Sequence, residues 1–118
     1  MNAVNPAVVT RHFLIGGDTN FYGTWEGGYA RLTESQADHD GQGCDPLDLP
    51  GTWNDPAYEA HETQSTCFSG CPAPWSESGL DDRFDLFLTS TSVRDGEGLD
   101  LVPGAYVPFG NDGLHWNS

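Results

Sequence analysis

The run Phe84-Asp85-Leu86-Phe87-Leu88-Thr89 is nearly continuous in apolar residues. A short apolar run bounded by polar segments is the pattern of a central strand, covered on both faces. It constrains the fold strongly, because fifteen glycines and eight prolines commit much of the rest to loops. A second apolar run, Phe13-Leu14-Ile15, climbs to Gly16-Gly17 and reads as a buried strand, entered from a helix end or linker that begins at Ala7. At 118 residues the chain suits one domain or part of one. A chain of that size buries roughly two-thirds of its unfolded surface, enough for a core.

Between these strands the pattern is weaker. Trp25, Tyr29 and Leu32 recur at spacings of four and three, so residues 24–35 suit an amphipathic helix with one apolar face, weakened at its start by Gly27 and Gly28. Residues 38–56 are rich in Asp, Gly and Pro and read as an irregular loop. Helical pattern does not resume clearly over 57–63; a short strand is allowed over 62–66, and 68–79 reads as a second loop. Asp95-Gly96-Glu97-Gly98 is a turn, and the extended segment 102–109, broken by Pro103 and Pro108, belongs at the periphery.

The charge is extreme: 18 acids face four arginines and no lysine, for a net charge of −14. Phosphate contacts come mostly from Lys and Arg, which argues against an extended electrostatic footprint on nucleic acid. The balance fits cation binding, or an acidic solvated surface suited to a salty or extracellular setting. No run of about 18 apolar residues is present, so no membrane span is expected. The opening residues, Met1 to Pro6, lack the charged and apolar regions of a signal peptide. Cys67 and Cys71 lie four positions apart in a Ser/Gly/Pro-rich loop, and Cys44 is left over. A short loop disulfide, free thiols and a metal site all remain open for them.

Three groups of residues carry chemistry. In Gly16-Gly17-Asp18-Thr19-Asn20, Asp18 and Asn20 stand at i and i+2 and face one site past a strand's carboxyl end. A carboxylate there orients a water or holds a metal, and an amide donates to a phosphoryl oxygen; the ordinary alternative is a turn. Asp85 is an acid inside an apolar run, where it calls for a His, an Arg or a metal; Arg83 and Arg31 are the simple ion-pair partners. Asp38-His39-Asp40-Gly41, with Asp45 and Asp48, opens like a calcium loop, but the closing Glu of that pattern is missing and an Asx-turn loop explains it as well. The four histidines, His12, His39, His61 and His115, have no Ser or Cys partner at a recognisable spacing. His61, beside Glu62, is a surface histidine or a ligand-binding one.

Leu14-Ile15-Gly16-Gly17-Asp18-Thr19-Asn20 resembles the Gly-Asp-x-Asn motif of the endonuclease/exonuclease/phosphatase superfamily, the DNase I-like proteins. Asp82-Arg83-Phe84-Asp85-Leu86-Phe87-Leu88 resembles its Arg-x-Asp-aromatic strand. Cys44-Asp45-Pro46-Leu47, Gly51-Thr52-Trp53, Thr63-Gln64-Ser65 and the tail from Val102 to Asn117 are similar to a bacterial, often exported branch. The resemblance implies an α/β (α+β) fold that is part of a four-layer αββα sandwich, with a mixed β-sheet and long loops. It implies divalent-metal-dependent hydrolysis of phosphoesters with Mg²⁺ or Mn²⁺, Ca²⁺ being a further candidate. The substrate is a small phosphoester or a nucleic acid, in a secreted or periplasmic setting. Carried over, Asp18 orients or deprotonates the attacking water and contributes to the metal site, Asn20 holds the scissile phosphate, and Asp85 orients a histidine. A carboxylate beside an imidazole fixes its tautomer and favours its protonated form.

The chain departs from the family at both ends. The family's metal-binding Glu lies in its first half, and its closing Ser-Asp-His has no counterpart here. His115 sits in an Asn-Asp-Gly-x-His stretch, a different motif. Where that branch commonly has a His before Thr-Gln-Ser, this chain has Glu62, with His61 one place earlier. Residues 1–118 therefore read as the second half of such a domain, truncated at both ends and low in activity or inactive alone. A rival reading is a non-catalytic acidic calcium-binding module using Asp38, Asp40, Asp45 and Asp48.

Overall fold

The computed structural model describes residues 11–38, 41–64, 67, 69–72, 79–96, 98–114 and 116. The readings made for Ala7 to Thr10, His39, Asp40, Ser65, Thr66, Phe68, Glu97, His115 and Asn117 lie outside them. The described chain is a small mixed α/β domain. Its strands are β1 (Leu14–Asp18), β2 (Gly43–Cys44) and β3 (Asp85–Ser90); its α-helix, α1, spans Gly27–Thr33; two 3₁₀ helices cover Pro56–His61 and Thr91–Arg94. The strand order is β1-β3-β2, and both pairings are antiparallel. The expected mixed sheet is thus replaced, among the described residues, by an antiparallel one.

β3 is the central strand that its apolar run predicts. Leu86, Leu88, Thr89 and Ser90 are buried. Its first residue differs from expectation: Asp85 is exposed, because it stands at the strand's entrance rather than inside the apolar stretch. β1 forms where the Phe13-Leu14-Ile15 run predicts a strand, but it is not buried. All five residues are exposed, and among the described residues β1 is an edge of the sheet, with β3 on one side only.

Helix α1 is shorter than its periodicity suggests. Tyr29 is buried and Leu32 half-buried, but Trp25 precedes the helix and is 66% exposed. Gly28 is required at the start. A Cβ there would stand 2.6 Å from the Phe21 ring, which leans against Tyr29 edge-on with centroids 6.3 Å apart. The first 3₁₀ helix occupies residues where no helical pattern was evident. Pro56 begins it with φ already suited to a helix, and the Asp55 carboxylate accepts from the Ala57 N–H at 2.9 Å. No strand follows over Glu62–Gln64.

The core is aromatic. Tyr29, Trp53 and Leu86 pack together, joined by half-buried Phe21, Leu49 and Tyr58. Tyr29 and Trp53 meet edge to face at 5.5 Å. Trp53 is fully buried, and its indole N–H donates to the Leu49 carbonyl at 2.8 Å, so its one polar group is satisfied. Cys67 and Cys71 form a disulfide, and Cys44 is free. No helix among the described residues is long and apolar enough to cross a membrane.

Candidate active site

The antiparallel register places Asp18 directly opposite Asp85. The flanking ladder bonds run from Ser90 N–H to the Phe13 carbonyl (3.0 Å) and from Thr19 N–H to the Phe84 carbonyl (2.8 Å). The acid pair therefore falls at a non-hydrogen-bonded position, where facing side chains come closest, with Cβ atoms about 4.5–5.5 Å apart. Asn20 joins them from beyond the strand end. Its backbone N–H and its side-chain amide both donate to Asp18 Oδ1, at 3.2 and 2.9 Å. That Asx turn holds Asn20 at φ 52°, a left-handed conformation that Asn tolerates better than most residues. All three predicted residues thus meet at one exposed end of the β1–β3 pair.

Thr63 fixes the other side of this end. Its hydroxyl accepts from the Asp85 N–H at 2.9 Å, and its own N–H donates to the Asp82 carbonyl at 3.1 Å. Neither arginine expected to pair with Asp85 does so. Arg31 binds Asp38 at 2.6 Å. Arg83 is fully buried and donates from both terminal nitrogens to Asp45, at 2.6 and 2.9 Å. The guanidinium lies over the Trp53 ring and the Tyr106 ring, at 5.2 and 5.6 Å. Tyr29 donates its hydroxyl to Asp45 at 3.1 Å, and the Leu47 N–H donates at 3.0 Å.

Burial alone would raise the Asp45 carboxyl, but the hydrogen bonds and charge of Arg83 hold it below the usual carboxylate range. The Tyr29 hydroxyl is pushed well above its ordinary value by burial and by the Asp45 charge. These contacts also bear on the calcium loop. Asp45 is enclosed by Arg83 and Tyr29, so its carboxylate is committed inside the fold, whereas Asp38 pairs with Arg31 at the exposed surface. Among the described residues no three metal-ligating side chains converge.

Sequence reasoning missed Glu62. It is fully buried, and neither carboxyl oxygen has a hydrogen-bond partner among the described residues. Burial, then the charges of Asp82 and Asp81, push it up to about 8. Burial likewise raises Asp82, whose Oδ1 is also without a partner among the described residues. Burial and the Arg83 charge lower His61, which is half-buried rather than on the surface. A cleft of about 360 Å³ runs from Glu62 and Thr63 to Asp85, between Leu80 and the Pro108–Asn111 segment. In the sequence Glu62 is a single acid in a polar stretch, which carries no mark of its burial. No family model, curated protein or solved structure matches this chain.

Proposed function

We propose that the Asp18–Asn20–Asp85 end of the sheet is one wall of a phosphoester-hydrolysing site that works with a divalent cation. The observation that carries this reading is the register. Two strands 67 residues apart in sequence set two exposed carboxylates face to face, with an amide hydrogen-bonded to one of them. Like charges directly opposite destabilise a strand pair, so the arrangement makes best sense where a cation or a proton shuttle uses it.

The donor set suits Mg²⁺ or Mn²⁺. These ions take hard oxygens, commonly one or two carboxylates, and complete their shell with waters and substrate phosphate. Asp18 is the ligand this reading assigns. When bound, the ion neutralises charge developing on the phosphoryl group. Asp18 also orients the attacking water and accepts its proton as the new P–O bond forms. Asn20 spends one amide N–H on Asp18 and keeps a second for a phosphoryl oxygen. Asp85 holds the N–H of an imidazole, which returns a proton to the departing oxygen as the ester bond breaks. No histidine contacts Asp85 among the described residues. This reading therefore expects little or no turnover unless an imidazole reaches Asp85. The reading carries with it the four-layer αββα architecture, and β1, bare on both faces, supports a second layer over this sheet.

The test is a Mn²⁺ titration followed by paramagnetic broadening of backbone amides, with bis-p-nitrophenyl phosphate hydrolysis measured in Mg²⁺. Broadening should centre on Asp18, Asn20 and Asp85 and vanish in Asp18→Ala, with turnover near background. Broadening spread over the acidic surface and unchanged in Asp18→Ala would sink the reading.

A further inference from the structure

The segment from Val102 to Leu114 is a strap laid over the sheet on few anchors. Tyr106 packs edge-on against Phe87 with centroids 5.7 Å apart, and its hydroxyl accepts from Arg83 at 3.3 Å. Asn111 donates its amide to the carbonyls of Glu59 (2.6 Å) and Glu62 (2.9 Å), and its own oxygen accepts from the Gly113 N–H at 2.8 Å. Gly113 sits so close to Ala60 that a Cβ would lie 3.1 Å from the alanine methyl. Apolar burial adds little: Val102, Val107, Phe109 and Leu114 are all at least two-thirds exposed. An element with few buried contacts opens at low free-energy cost.

The end that Asn111 grips is where Glu62 is buried without a partner among the described residues. An ionised carboxylate there has no hydrogen bond from the described residues to replace water, which is expensive in a low-dielectric site. The charged groups acting on it make this worse. Asp82, Asp81 and Asp55 repel a second negative charge, and Arg83, the cation acting on it among the described residues, is committed to Asp45. Next to it in the chain, His61 Nδ1 is also buried without a partner among the described residues. The cheapest relief for an ionised Glu62 is to reach water, and the lightly held strap is what stands in the way.

We propose that Glu62 is a proton-operated latch. While its carboxyl is neutral, Asn111 stays docked and the strap closes the cleft beside Asp85. On ionisation the end of the Pro56–His61 helix shifts, Asn111 releases, and the cleft opens. The latch stands on the strap's anchors and the burial of Glu62, independently of the phosphoester reading. It acts in the mildly alkaline range, since Glu62 is pushed up to about 8.

Hydrogen exchange of the whole chain, followed by mass spectrometry from pH 6 to 9 and corrected for intrinsic rates, tests the latch without metal or substrate. Its outcome therefore leaves the reading of Asp18 and Asp85 untouched. Amides over 105–114 should lose at least tenfold in protection, with a midpoint near 8, while those of Leu86–Leu88 hold. Glu62→Gln should keep the strap protected throughout. Asp82→Asn should lower the midpoint by at least half a unit, since Glu62 ionises more readily once that repelling charge is gone. A strap whose protection does not change with pH, an equal fall in Glu62→Gln, or an unmoved midpoint in Asp82→Asn overturns the proposal.

Discussion

Arg83 and Asp45 meet in the buried interior through two parallel hydrogen bonds, of 2.6 and 2.9 Å, although 38 residues separate them in the chain. The pair ties the loop after β2 to the entrance of β3, and through Tyr106 it ties the strap to both. Removing one partner leaves the other as a lone buried charge, which typically costs about 3–5 kcal/mol. Asp45→Asn should therefore lower the urea midpoint sharply, and Arg83→Met should do the same. Replacing both by apolar residues of similar size should recover much of the loss. If the single variants unfold at the wild-type urea concentration, the pair carries no such weight. The pH dependence has a definite sign. The folded Asp45 carboxyl is held below its ordinary value, so its contribution is present at neutral pH and is lost as pH falls through the folded value.

Glu62 gives the opposite sign. Its folded value is raised to about 8, so the native state binds a proton that the unfolded chain has released. Its contribution is fully present below the ordinary glutamate value and is gone once pH passes 8. The slope is at most about 1.4 kcal/mol per pH unit. Removing the Asp82 charge takes away a repulsion, so Glu62 ionises more readily and the Asp82→Asn midpoint falls below that of the wild type. Urea melts from pH 5 to 9 should show the decline in the wild type and its absence in Glu62→Gln. Parallel curves for the two proteins would remove Glu62 as the cause.

Gly23 pairs with Thr52 in an isolated bridge, and a Cβ on it would collide with the Gly51 carbonyl and stand 2.6 Å from the Trp25 indole nitrogen. The indole is at the end of a mobile side chain, but the carbonyl is backbone and cannot swing away. Gly23→Ala should cost about 1–3 kcal/mol, the usual range for overpacking. A thermal melt superimposable on the wild type would show that the backbone yields there.

Asp18→Asn should move stability and function in opposite directions. It relieves the repulsion across the register and so should stabilise the fold by about a few tenths of a kcal/mol. It should also abolish the localised Mn²⁺ broadening. Loss of stability together with loss of Mn²⁺ binding would mean that Asp18 supports the strand and not a site.

What could be read from the residues was mostly local. The apolar run of β3 announced a central strand, and the i, i+2 spacing of Asp18 and Asn20 announced a shared end. Hydrophobicity alone misjudged β1, since Leu14 and Ile15 make a strand whether or not anything covers it. Asp85 was misread as buried because the run around it is apolar, although the strand begins with it. Arg83 looked like a partner for Asp85 because the two are close in sequence. Its true partner lies in a loop of ordinary turn residues, where the sequence carries no mark of long-range pairing. Glu62 was invisible for a similar reason: a single acid in a polar stretch gives no sign that tertiary packing will enclose it.

The edge of β1, bare among the described residues, makes ionic strength a structural variable for this chain. Leu14, Gly16 and Asp18 turn their backbone groups away from β3, toward any strand that arrives. At low salt, two copies that approach carry 14 excess negative charges each, with Asp18 standing at the strand they would share. Near 1 M salt the screening length shrinks to about 3 Å and that repulsion fades. Light scattering should then register association at high salt and separate chains at low salt. The acids that mark the candidate site would, on that account, also keep one molecule's open strand from becoming another's template.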